Sequence, residues 1–297
     1  MEMFVAAARS GGNIRVRKLF DGCSGQDGAL YGDCLFRFDH RGACTVYSAS
    51  GGEKQAEFVL ARADELCPHS NAVSFGAEKW TAEDEFPLLY TNIYNNYASA
   101  ADRMEGVCCV YRIVRAGNGF SSELVQVIRI GFVDELSRWK SRPGKGDVRP
   151  YGNFVVDVPK GKLFALTMRD EDQVTRCFAF DVPSVRAGMP DERLGVPVLT
   201  LTEADIRAQF DFDYSHFMQG ACSRGGVICS VEGFDAASPD DENLPVLRIV
   251  DTDRQEQIAR IDLFALGLHN EPELVDFMDG ALFYMDGCGQ AFELSFD

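Results

Sequence analysis

The chain has 297 residues, 46% of them hydrophobic, and carries a formal net charge of −17 from 46 acidic and 29 basic residues. That supply of apolar side chains supports a sizeable core within one domain, and no run approaches the about 18 apolar residues of a membrane-crossing helix. The acidic balance disfavours nucleic acid and anionic membranes as partners, because both demand basic surface.

Residues 1–12 read as a loose lead-in. They hold no basic leader and only a short apolar stretch, so they do not read as a signal peptide, and a cytoplasmic location is expected. Gly22-Cys23 has the look of a lipoprotein cleavage site, but Arg15, Arg17, Lys18 and Asp21 just before it do not suit a signal sequence. Residues 13–20 alternate polar and apolar side chains, as a half-exposed edge strand does.

From residue 26 onward one pattern recurs. A polar or amide residue opens a strand of small and apolar residues; a turn follows, then a more apolar strand. Gln26-Asp27 opens the first copy, with a turn at Gly32-Asp33 before Cys34. His69 and Asn71 open a less regular second copy, with insertions at 77–86 and 92–103. The second insertion offers Tyr and Asn side chains suited to polar, ring-containing ligands. Residues 134–150 link to the next copy and carry the one basic cluster, 138–146.

Tyr151 and Asn153 open the third copy, in which Thr202 followed by Asp205 predicts a single helical turn. His216 and Gln219 open the fourth, and its loop 235–243 is acidic but lacks the alternating pattern of a calcium loop. His269, Glu271 and Glu273 open the last copy, a tight hairpin turning at Asp279-Gly280, a pair that tolerates positive φ.

Five copies of a four-stranded antiparallel unit describe a five-bladed β-propeller. A β-sandwich or jelly roll is the alternative, but neither requires five recurrences. The blades span about 26–60, 71–130, 153–211, 219–261 and 271–296. The last has only three strands of its own, so residues 13–20 are expected to supply its fourth and close a single domain.

Among the ten Cys, Cys34, Cys44, Cys177, Cys222 and Cys229 sit in apolar strands and read as small hydrophobes with reduced thiols. No C-x-x-C pair is present, so no metal site is expected, and no cofactor motif appears.

The phrases around His69–Gly76, Asp84–Tyr90, Phe217–Ala221 and Asn270–Glu273 resemble a group of uncharacterised five-bladed propellers from gut-type bacteria, over about residues 26–296. That resemblance implies the fold and no activity; members usually carry an export signal. More distantly, the architecture resembles the arabinanase-like glycosidases, which place carboxylates on separate inner strands. Here Asp27 has that position, but Asn71, Asn153 and Gln219 are amides.

The axial mouth, where inner strands begin, is the expected ligand site. It would gather Gln26, Asp27, His69, Asn71, Tyr151, Asn153, His216, Gln219, His269, Glu271 and Glu273. The reading is a propeller that binds a small polar ligand, such as a saccharide, or a protein partner. The alternatives are a glycoside hydrolase using Asp27 with Glu271 or Glu273, and a structural interaction module.

Overall fold

The structure, a computed structural model, describes residues 1–66, 68–93, 106–132, 152–169, 174–214 and 217–296. Five antiparallel sheets form the blades of a propeller. Blade 1 is Gly28–Tyr31, Cys34–Phe38, Ala43–Ser48 and Lys54–Val59. Blade 2 is Val73–Phe75, Leu89–Ile93, Val107–Ala116 and Gly119–Ile130. Blade 3 is Gly152–Asp157, Lys162–Arg169, Val174–Asp181 and Ala208–Asp213. Blade 4 is Met218–Arg224, Val227–Glu232, Val246–Asp251 and Glu256–Asp262. Blade 5 is Pro272–Met278, Ala281–Asp286 and Ala291–Phe296.

The N-terminal strand Ile14–Phe20 completes blade 5, running antiparallel to its last strand with Val16 opposite Leu294. The hairpin of that blade turns where expected. Asp279 and Gly280 have φ of 48° and 87°, the left-handed pair that matches the twist of the flanking strands.

Apolar side chains fill the gaps between neighbouring blades. Phe36, Phe38 and Phe58 of blade 1 pack with Leu89 and Tyr111 of blade 2. Phe154 and Phe180 pack blade 3 on blade 2. Comparable clusters join blades 3 and 4, 4 and 5, and 5 and 1. Inner strands crowd one another near the axis: a Cβ at Gly220 would lie 2.5 Å from the Glu273 carbonyl oxygen, so only glycine fits there.

Two features differ from the sequence reading. Residues 1–12 are not a loose lead-in: Glu2–Arg9 is a helix whose Phe4 and Ala8 are buried. Phe4 packs edge-on against Phe277 and Phe296 of blade 5, and Arg9 pairs with Asp251 of blade 4 at 2.8 Å. Phe4 and Ala8 are one helical turn apart, so one apolar stripe docks the helix.

The second difference lies between the last two strands of blade 3. There the chain leaves its own sheet, and Pro197–Leu201 pairs in parallel with the outer strand of blade 2, Val198 opposite Val127. Leu199 and Leu201 pack beside Ile128 and Ile130. Gln126, fully buried, donates its amide to the Ser184 and Ala187 carbonyls at 2.9 and 2.8 Å and pins this excursion. The single turn expected at 202–205 is present as Glu203–Asp205, with Thr202 N–H and hydroxyl both donating to the Asp205 carboxylate.

Candidate functional site

Polar side chains on the inner strands do two kinds of work. Some stitch blades together. Asp27 is fully buried and accepts the Val73 N–H of the next blade at 3.0 Å. Asp276 accepts the Leu30 N–H of blade 1 at 2.9 Å. Asp157 accepts the Gly225 and Gly226 N–H groups at 2.8 and 2.7 Å. Asn92 accepts from the Ala72 N–H and donates to Asn153, both at 3.0 Å, and Asn71 donates to the Met218 carbonyl at 3.4 Å. Buried strand ends need such partners, because an unpaired buried N–H is costly.

The remainder surround a cavity of about 310 Å³ at the mouth. Its lining comes from the start of blades 1 and 5 (Gln26, Glu271, Glu273) and from loops that return to the same end (Asp39, His40, Asp235, Cys288). A polar chain crosses three blades behind it. Gln26 donates its amide to Glu273 at 2.9 Å and takes a hydrogen bond from His69 Nε2 at 2.7 Å. An amide oxygen only accepts, so His69 carries a proton on Nε2. Gln219 donates to Glu271, whose backbone N–H donates to Asp235 at 2.6 Å.

Glu273 is 2% exposed, and its Oε2 has no hydrogen-bond partner. Burial pushes its carboxyl well above the usual range and the neighbouring Glu271 adds to that; Arg37 and Gln26 act against it. Burial likewise raises Glu271, with Asp235 adding and Gln219 opposing. Beneath them Arg37, 1% exposed, donates to the carbonyls of Cys23 and Gly25 at 3.2 and 2.7 Å. Its charge faces Glu273 and Asp27.

The structure brings Gln26, Glu271 and Glu273 to the cavity, with His69 and Gln219 directly behind them. Asp27, Asn71 and Asn153 are not in its lining. His269 is not in the cavity lining: it lies in the loop before the inner strand of blade 5, and its exposed ring stacks on Phe264 at 4.1 Å. Tyr151, His216, the basic cluster 138–146 and most of the Tyr- and Asn-rich insertion lie outside the described residues.

His40, Asp39, Asp235 and Cys288 join the lining without having been anticipated. The signal was available. In an up-and-down sheet, the loop between the second and third strands returns to the end where the inner strand begins, and all four residues lie in such loops.

Buried acids also set a pH response. Burial raises Asp276 to about 6, against the Leu30 and Phe277 N–H groups and the Arg224 charge, which favour its ionised form. Asp27 and Glu273 move the same way. An acid whose folded pKa exceeds its unfolded value stabilises the fold below the unfolded pKa, and that contribution is lost as pH rises through the folded one. For Asp276 the window runs from about 4 to about 6, with an effect on the order of 2 kcal/mol. Below it, stability falls again as Asp84, held low by Arg112, and Asp181, held low by Lys162 and Arg207, take up protons. A melting temperature several degrees higher at pH 5 than at pH 7.5 is expected from scanning calorimetry. A higher value at pH 7.5 would contradict it.

Among the described residues no three His, Cys, Asp or Glu side chains converge as a metal site. Nine described cysteines are free, Cys288 alone exposed. No helix among those residues is long and apolar enough to cross a membrane.

No family model matches the chain, and no curated protein sequence does. Solved structures do. A glutaminyl cyclase from Myxococcus xanthus is similar over 95% of this chain and 94% of its own, with 10% identity and a TM-score of 0.51. The Pan2 WD40 domain of Neurospora crassa is similar over 94% of this chain and 81% of its own, with 8% identity and a TM-score of 0.43. At such identity the first likeness shows fold alone, and the five sheets make the chain a five-bladed β-propeller.

Proposed function

We propose that this propeller binds a small polar ligand at its mouth, and that the ligand carries a protonated nitrogen. The observation behind this reading is Glu273 Oε2, buried without a hydrogen-bond donor in the wall of a cavity also lined by Asp39, Asp235 and Glu271. A buried carboxylate oxygen without a donor is costly, and a ligand ammonium would supply one. Carboxylates spread around a cavity suit a cation with several N–H groups better than a bare ion, which needs converging ligands.

An amino sugar combines the expected hydroxyls with such a nitrogen. Calorimetric titration should find glucosamine binding at least about tenfold tighter than glucose, the usual gain from one charge-assisted hydrogen bond. Glu273→Gln should remove that difference. Binding should also strengthen with pH up to the point, about pH 7–8, where the amine itself gives up its proton, because a cation favours the ionised Glu273. Glu271, Asp235 and Asp39 share its wall, His40 completes the lining, and Arg37 and Asp27 lie beneath. Equal binding of the two sugars would leave a polar site without a cation preference, and no binding of either would remove the sugar reading. The resemblance to propellers of gut-type bacteria brings no ligand of its own to this proposal. A hydrolytic pairing of Asp27 with Glu271 or Glu273 draws no support from the cavity lining, which contains both glutamates but not Asp27.

A further inference from the structure

The other end of the ring holds a second cavity, of about 270 Å³, built from the far ends of the inner strands of all five blades. Its walls differ in kind from those of the mouth. Tyr31, Phe75, Val156 and Pro159 present apolar surface from three blades. Four polar side chains break that surface, Ser74, Ser223, Arg224 and Asp276. Ser74 is 9% exposed and its hydroxyl has no hydrogen-bond partner. Arg224 lies at the rim, exposed, and forms no ion pair or hydrogen bond through its side chain among the described residues. Its charge acts on the Asp276 carboxyl of the same wall and favours that group's ionised form, while its own N–H groups stay available at the rim among the described residues.

Asp276 also reaches this wall, but its oxygens accept the Leu30 and Phe277 N–H groups at 2.9 and 2.7 Å. Ser223 is engaged too, donating to Asp157 or to the Val227 carbonyl at 3.2 and 3.1 Å. The groups still open to a ligand are therefore one guanidinium, one buried hydroxyl and an apolar wall with two aromatic rings.

We propose that this opening is a second binding site, for a small monocarboxylate with an apolar or aromatic body. The carboxylate would take paired N–H donors from Arg224, for which the planar guanidinium is shaped. The body would cover Tyr31, Phe75 and Val156, and the Ser74 hydroxyl would find its missing partner on the ligand. The volume is in the range of small-ligand sites, with few polar groups fixing orientation inside an apolar lining. The site is independent of the mouth, sharing no lining residue with it.

The test is calorimetric titration of the full chain with 3-phenylpropionate, its neutral amide and the corresponding amine. The carboxylate should bind at least about tenfold tighter than the amide, the scale of one hydrogen bond to a charged group. Arg224→Gln should abolish that preference and, because Arg224 is exposed, should still fold, which far-UV circular dichroism checks. Ser74→Ala should weaken the carboxylate by about threefold. Equal affinity for acid and amide, tighter binding of the amine, an unaltered preference in Arg224→Gln, or no heat from the acid up to about 10 mM would each overturn the proposal.

Discussion

Deleting residues 13–20 should leave a protein with no cooperative unfolding transition, whereas removing residues 1–11 should leave a folded one that melts about 5–10 °C lower. The closing strand runs the length of the last strand of blade 5 and covers one edge of a sheet whose Phe292 and Leu294 are core residues. Without it, that sheet ends in a bare apolar edge, the kind that recruits other chains. The helix Glu2–Arg9 contributes less. Its main anchor is Phe4, 8% exposed, and Phe4→Ala should cost about 3 kcal/mol, the low end for a buried Phe, or several degrees in a chain of this size. Thermal denaturation followed by circular dichroism separates the two. A sharp transition within a few degrees of the parent for the internal deletion would mean that blade 5 closes without its N-terminal strand. Val16→Pro offers a gentler version, since proline fixes φ and removes an N–H in the strand that pairs with Ala291–Phe296.

Arg248→Met should destabilise by about 3–5 kcal/mol, the cost of leaving one member of a buried pair uncompensated, which is roughly 6–15 °C in melting temperature. Arg248 and Glu232 are 2% and 0% exposed and meet at 2.6 Å across neighbouring strands of blade 4. Arg248 also donates to Gln257 at 3.1 Å. The ion pair need not be worth that much in itself, because desolvation of both charges offsets most of the attraction. The double variant Glu232→Leu with Arg248→Met should therefore recover most of the loss. If the double variant melts as low as the single one, the pair stabilises blade 4 directly, and the desolvation argument fails for this site.

The parts of the architecture that were legible are those written in local spacing. Hairpin turns such as Asp279-Gly280 need positive φ, and few residues supply it. The alternation over 13–20 marks an edge strand, and a ring of five three- or four-stranded copies leaves it one place to go. Pro197–Leu201 was not legible because its partner is about 70 residues earlier and in another blade; nothing in its own spacing names Val127. The helix at Glu2–Arg9 was legible in principle from Phe4 and Ala8, but a single stripe of two residues is a weak signal in a short segment.

At the site, polarity at the inner strand starts is visible in the sequence, but which side chain faces the cavity and which faces a neighbouring blade is not. Asp27 and Glu273 occupy comparable places in the sequence pattern, yet the first binds a backbone N–H of the next blade and the second faces a cavity. That difference depends on how neighbouring blades lean together. Histidines misled in the same way: His269 belongs to a loop that stacks on Phe264, and His40, in a loop between strands, reaches the mouth.

The closing strand has one more consequence, in time rather than in space. During synthesis Ile14–Phe20 is made early, and its partner Ala291–Phe296 only about 270 residues later. At about 5–20 residues per second the wait lasts on the order of 15–50 s. Through that interval the strand must neither pair with a wrong edge nor join another chain. Arg15, Arg17 and Lys18 give its outward positions charge, and Arg17 later meets Glu293 across the finished seam. The same basic side chains that decorate the outer edge of blade 5 thus keep the earliest strand soluble until the last one arrives.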